Sequence, residues 1–120
     1  MKGQEVIPAL VQGIKTLTNE EKGHFMHALS ILGGKDAERA ILNELKSPHE
    51  ELREQAARAL SRFITYEAWA ALLKLEITDD TYKVISAVKS SIVAIESQIG
   101  FLKRMQFSIR FFVFDRAPLV

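Results

Sequence analysis

Residues 45–63 read LKSPHEELREQAARALSRF, and this stretch decides the fold. It carries the end of one helix, a turn at Ser47-Pro48 and a second helix opening near His49, with Ser47 as cap and Pro48 at the first helical position. In the second helix Leu52, Ala56, Ala59, Leu60 and Phe63 recur at helical spacing and form one apolar stripe. Glu50, Glu51, Arg53, Glu54, Arg58 and Arg62 lie off that stripe. The alanines are small, so a neighbouring helix can approach closely along it.

The same pattern recurs about thirty residues away on either side. A slide of 31 residues pairs Ala28-Leu29 with Ala59-Leu60, Phe25 with Ala56 and Leu32 with Phe63. A slide of 32 pairs Leu52 with Val84, Ala56 with Val88 and Leu60 with Ile92. The chain therefore reads as three helix–turn–helix units, the signature of an α-solenoid. The expected helices are Glu5–Leu17, Glu20–Leu32, Ala37–Lys46, His49–Phe63, Tyr66–Glu76 and Thr81–Gln98. Thr18-Asn19, Asp36, Thr65 and Thr78-Asp79-Asp80 supply turns and caps, and Gly33-Gly34 and Gly100 supply stops. Ala40, Ile41 and Leu45, then Trp69, Leu72 and Leu73, then Val84, Val88, Ile92 and Ile95 are the inward positions of the later helices.

The motif SPHEELREQAARAL resembles a HEAT-type repeat of the armadillo-like, phycobilin-lyase-related class. Its marks are Pro48 in the turn, the aliphatic–Arg pair Leu52-Arg53, and the small residues Ala56-Ala57 and Ala59 before Leu60. The third unit follows with Asp79-Asp80, Val84, Val88 and Ile92, but has Ile85 where the Arg would stand; the first has Glu21 and Lys22 in place of the pair. The resemblance covers about residues 5–98 and implies a short, right-handed, all-α solenoid. It implies too that Arg53 bonds an acidic residue of a neighbouring turn, Asp79 or Asp80. Finally, it implies a binding scaffold whose inner face is lined by the second helix of each unit.

Residues 99–120 differ in kind from the domain over 1–98. Five of the seven phenylalanines lie between Phe101 and Phe114. Met105, Phe107, Ile109, Phe111 and Val113 alternate with their neighbours as in a strand, yet a lone strand among helices has no ladder partner. Three outcomes stay open: a helix capping the last unit, a strand paired with another chain to give a homodimer, or a tail with no fixed structure. An exposed aromatic run of this kind is an association site.

The chain has 120 residues, 48% of them apolar, a net charge of +1 and no cysteine. Disulfides, thiolate metal sites and cysteine nucleophiles are thereby excluded. Near-neutral charge argues against a broad nucleic-acid footprint. The early apolar residues are broken by Glu5, Gln12 and Lys15, so no signal peptide is read, and no run reaches the roughly 18 apolar residues of a membrane span. A cytoplasmic protein with no membrane contact is expected.

At about 100° per residue, one stripe beside the core carries Glu20, His24, His27 and Ile31, the next Glu51, Gln55, Arg58 and Arg62, and the third Lys83, Ala87, Ser90 and Ala94. The candidate partner-binding residues are His24, His27, Glu51, Gln55, Arg58, Arg62 and Lys83, with an acidic or amphipathic protein segment as the ligand class. The competing reading is a solvated face that binds nothing. Glu20, His24 and His27 share a face, but no fourth metal ligand is in view, so no metal or other cofactor is expected. No triad, paired acid–base carboxylates or phosphate loop is present, and no catalytic residue is assigned. Trp69 reads as core. The expected function is a non-catalytic interaction module. The alternatives are a nucleic-acid-associated protein using Arg53, Arg58, Arg62, Lys83 and Lys89, or a lyase-like enzyme.

Overall fold

Every described segment longer than a turn is helical. The computed structural model describes residues 13 and 15–115. Among them run α1 (Asn19–Leu32), α2 (Lys35–Glu44), α3 (Glu50–Leu60), α4 (Tyr66–Thr78), α5 (Tyr82–Glu96) and α6 (Phe101–Arg110). A π-helical turn, Phe111–Asp115, follows directly on α6. The helix expected over Glu5–Leu17 lies outside the described residues except at 13 and 15–17, and the last five residues lie outside them as well.

Local chemistry accounts for the boundaries. Thr18 and Glu21 form a reciprocal capping box at α1: the Glu21 N–H donates to Thr18 Oγ1 at 3.3 Å, and the Thr18 N–H to Glu21 Oε1 at 2.9 Å. That backbone donor, with the Thr18 side chain, holds the Glu21 carboxyl below its ordinary value. Gly33 ends α1 at φ 74° and ψ −173°, and Gly34 opens α2 at φ 94° and ψ 165°. These conformations belong to glycine, which explains why the pair stands there. Three assigned caps move. Thr81, not a residue of Thr78-Asp79-Asp80, precedes α5. Gly34, not Asp36, is the residue before α2, and Asp36 sits in its first turn facing the helix dipole. Ser47 does not cap α3, which follows His49; its Oγ accepts the His49 N–H at 3.1 Å and shapes the turn instead.

The helices assemble by successive contact. α1 packs on α3, and α3 packs on α5. On the other side α2 touches α1, α3 and α4, while α4 rests on α5. Cross-connections fix the directions. Arg53 at the start of α3 bonds Asp79 and Thr81, just ahead of α5, and the buried Ser91 hydroxyl donates to the Ala57 carbonyl at 2.7 Å. α3 and α5 therefore run parallel. The chain measures 37 × 34 × 22 Å, its short axis matching two helices laid one on the other.

The core is continuous. Leu52, Ala56, Leu60 and Phe63 meet Val84, Val88, Ile92 and Ile95, with Ile41, Leu45, Trp69 and Leu72 beneath. Helical spacing alone places each of them inward. α1 is rotated from the expected stripe: Met26, Leu29 and Ser30 are buried, whereas Ala28 and Leu32 are exposed. α1 touches α2 and α3 together, so the buried line is the one that serves both.

The aromatic tail is a helix through Arg110, not a strand. Phe107 and Phe111, four residues apart on one face, insert beside Tyr66 and Trp69 with ring centroids 5.4–5.8 Å apart. Those pairs settle the conformation, because the alternating pattern would send Phe107 and Phe111 to one side with no sheet to receive them.

Candidate functional site

The surface between α1 and α3 is a shallow groove in two parts. The larger has a volume of ≈ 700 Å³ and is lined by Glu20, Gly23, His24, His27, Glu51 and Gln55, among others. The smaller, ≈ 230 Å³, shares Gly23, His27 and Gln55 and continues past Ser30 to Arg58 and Arg62. Residue numbers rise together along both walls, so α1 and α3 also run parallel. Gly23 faces Gln55 across the groove: a Cβ added there would lie in ordinary van der Waals contact with the Gln55 side chain, 3.6 Å away.

Six of the seven residues selected from sequence line this groove: His24, His27, Glu51, Gln55, Arg58 and Arg62. All six are exposed. Lys83 is also exposed but lines neither part. The stripe assigned to α5 does not continue the surface, because Ala87 in its middle is buried at the contact with α3. The groove is polarised along its length. Glu20 and Glu51 mark one end, the histidines stand near the middle, and Arg58 and Arg62 mark the other. Arg58 Nη2 donates to Glu54 Oε2 at 3.0 Å on the same helix, an exposed pair worth only a few tenths of a kcal/mol. Among the described residues no three His, Cys, Asp or Glu side chains converge as metal ligands, and Glu20, His24 and His27 are no exception.

Arg53 is turned into the body, and its guanidinium is taken up by partners within the chain. Its Nε donates to Asp79 Oδ2 at 2.7 Å, its Nη1 to the Ser47 carbonyl at 2.9 Å and its Nη2 to Thr81 Oγ1 at 3.3 Å. Asp79 also accepts the Thr81 N–H at 2.8 Å. Burial pushes the Asp79 carboxyl upward, but the Thr81 donors and Arg53 together outweigh it and leave the carboxyl below its ordinary value. Of the basic residues weighed for nucleic acid, Arg62, Lys83 and Lys89 are exposed and outside these ion pairs.

Sequence reasoning missed a second set of polar contacts on the opposite layer. Buried Glu38 accepts the Thr65 hydroxyl, while Thr65 Oγ1 accepts the Ala68 N–H at 3.1 Å, so one threonine caps α4 and ties it to α2. Trp69 Nε1 donates to Glu96 Oε2 at 3.0 Å. The Tyr66 hydroxyl donates to Asp115 Oδ2 at 2.7 Å, and the Arg110 guanidinium lies 4.0 Å from the Tyr66 ring centroid. Burial, then the Asp115 hydrogen bond, push the Tyr66 phenol up to about 12, and the Tyr66 hydrogen bond holds Asp115 low. A cleft of ≈ 460 Å³ between α2 and α4 is lined by Leu42, Leu45, Tyr66, Ala70, Lys74 and Asp115, among others. A raised phenol bonded to a carboxylate is a structural link and not an activated nucleophile. The tyrosine link had no readable sign, since Asp115 lies 49 residues away in sequence.

No protein-family model matches the chain, and neither a curated protein nor a solved structure does.

Proposed function

We propose that this chain is a non-catalytic protein-interaction module that receives an amphipathic partner segment in the groove between α1 and α3. Acidic side chains of the segment meet Arg58 and Arg62, basic or amide groups meet Glu20 and Glu51, and the segment's apolar side rests over Gly23. The observation that carries this reading is the pair of parallel walls with opposite charges at opposite ends. Such a groove orients an asymmetric ligand as well as holding it. In the same reading the helices form a short right-handed solenoid of HEAT-like pairs. Supporting it are the order of contacts, α1 to α3 to α5 in one layer and α2 to α4 in the other, and the Arg53 bond to the next turn.

The test is selection of displayed helical peptides on the wild-type chain, with counter-selection on Arg58→Glu/Arg62→Glu. Enriched peptides are expected to carry acidic residues near one end and to lose about tenfold or more in affinity on the double variant. Their amide shift perturbations should map to residues 23–30 and 51–62. Peptides that bind both proteins equally, or that perturb α4 and α6 instead, would refute the assignment.

A further inference from the structure

α6 is attached by one face and bare on another. Phe107 and Phe111 point into the aromatic cluster and are almost fully covered. At about 100° per residue, Phe101, Leu102, Met105 and Ile109 occupy a single arc of about 100° on the far side. Phe112 and Val113 prolong that arc, three and four residues beyond Ile109. These six side chains are 45–74% exposed. Taking roughly 150–200 Å² for a whole large side chain, they uncover on the order of 600 Å². That is the upper end of the largest apolar patch a typical monomer carries.

The border of the patch is cationic. Arg104 lies on one side of it and Lys103 on the other, both exposed; Arg110 is exposed as well but is paired with Asp115 at 3.3 Å and lies over the Tyr66 ring. No Asp or Glu occurs from Phe101 to Phe114. A second copy docking here would set these cations against the same cations. A surface rich in anionic phosphate groups has the complementary charge and needs no matching contour. Aromatic and aliphatic side chains flanked on both sides by Lys and Arg are what an interfacial helix presents to lipid.

We propose that α6 docks the protein on an anionic membrane surface, lying in the plane of the interface. Phe101, Leu102, Met105 and Ile109 enter the headgroup–acyl boundary, and Lys103 and Arg104 meet the lipid phosphates. No helix among the described residues is long and apolar enough to cross a bilayer, so the contact is peripheral. Phe107 and Phe111 keep α6 on the body, so docking needs no unfolding of the domain. The groove between α1 and α3 is separate from this face.

The experiment is vesicle co-sedimentation of the full chain. Equal parts of phosphatidylcholine and phosphatidylserine are compared with phosphatidylcholine alone. Binding is expected on the mixed vesicles, weakened at least about tenfold on the neutral ones and by high salt. Leu102→Gln/Ile109→Gln should weaken it to a similar degree. Both positions are exposed, so Trp69 fluorescence and the far-ultraviolet circular dichroism should be unchanged. Lys103→Gln/Arg104→Gln, at surface positions that carry no core packing, should weaken binding to the mixed vesicles and remove most of its salt dependence, and unchanged binding by this variant would overturn the proposal. Absence of pelleting on mixed vesicles, or equal pelleting on both kinds, would overturn the proposal. So would a dimer in light scattering that Leu102→Gln/Ile109→Gln dissolves, which would assign the face to a second copy.

Discussion

Removing one half of the Arg53–Asp79 pair should destabilise the fold far more than a surface ion pair would. The side chains are 18% and 5% exposed, and Arg53 spends three donors on Asp79, Thr81 and the Ser47 carbonyl. Breaking one side of a well-buried pair costs about 3–5 kcal/mol; discounting for the partial exposure of Arg53, Arg53→Met should cost about 2–4 kcal/mol. Asp79→Asn keeps the hydrogen-bond shape and should cost less. The double variant should recover part of the loss, with a coupling energy of about 1–3 kcal/mol. Urea unfolding followed by circular dichroism and Trp69 fluorescence reads all four proteins. The pH dependence carries a definite sign. Asp79 titrates below its ordinary value, so its contribution is complete above the unfolded value of about 3.9 and fades as pH falls through the lower folded value. Asp79→Asn should flatten that acid limb. A coupling energy under about 0.5 kcal/mol, or an unchanged acid limb in Asp79→Asn, would refute the view that this pair clasps the turns ahead of α3 and α5.

Phe111→Ala should cost about 3–4 kcal/mol, since Phe111 is fully buried against Trp69, and should shift Trp69 emission to longer wavelength; an unmoved emission maximum would mean the tail does not seal that ring. Gly33→Ala should cost about 1–3 kcal/mol from backbone strain alone, because φ is +74° and nothing lies within 4 Å of the added Cβ. Thermal melts measure it, and a neutral result would place Gly33 outside the positive-φ region. Because the Tyr66 phenol is raised to about 12, its contribution is complete below the ordinary phenol value of about 10 and is lost as pH climbs toward 12. In Tyr66→Phe this alkaline loss should vanish, as tracked by circular dichroism with tyrosinate absorbance alongside.

Helix order, most boundaries and nearly the whole core were legible because spacing and capping are local. Leu52, Ala56, Leu60, Val88 and Ile95 followed from period alone, and Thr65 from its place before an apolar run. The link from Arg53 to Asp79 came from resemblance to a repeat family and not from spacing, which cannot pair residues 26 apart. Ser47 and Asp36 failed as caps for a local reason too: each is the one short polar side chain of its turn, yet α2 opens after Gly34 and α3 after His49, a choice made by backbone angles that sequence does not carry. The tail was ambiguous because Phe107, Ile109 and Phe111 alternate, while Phe107 and Phe111 also stand at helical spacing; packing of those two rings on Tyr66 and Trp69 decides between the two periods, and that packing is a tertiary fact. At the groove, helical-wheel geometry placed six of seven residues. Lys83 stands apart from the groove because α5 turns Ala87, one turn further on, into the packing.

The attachment of α6 through Phe107, Phe111 and the Asp115 contact with Tyr66 has a kinetic corollary. A helix fastened at so few points is a separate cooperative unit, able to open while α1–α5 stay folded. Amide exchange should then divide into two classes. Residues 101–115 would exchange at a protection set by the sub-global opening, and the amides of α3 and α5 only with global unfolding. Each such opening would also uncover the Trp69 ring, so quencher access to the tryptophan and exchange in α6 should report one and the same equilibrium constant.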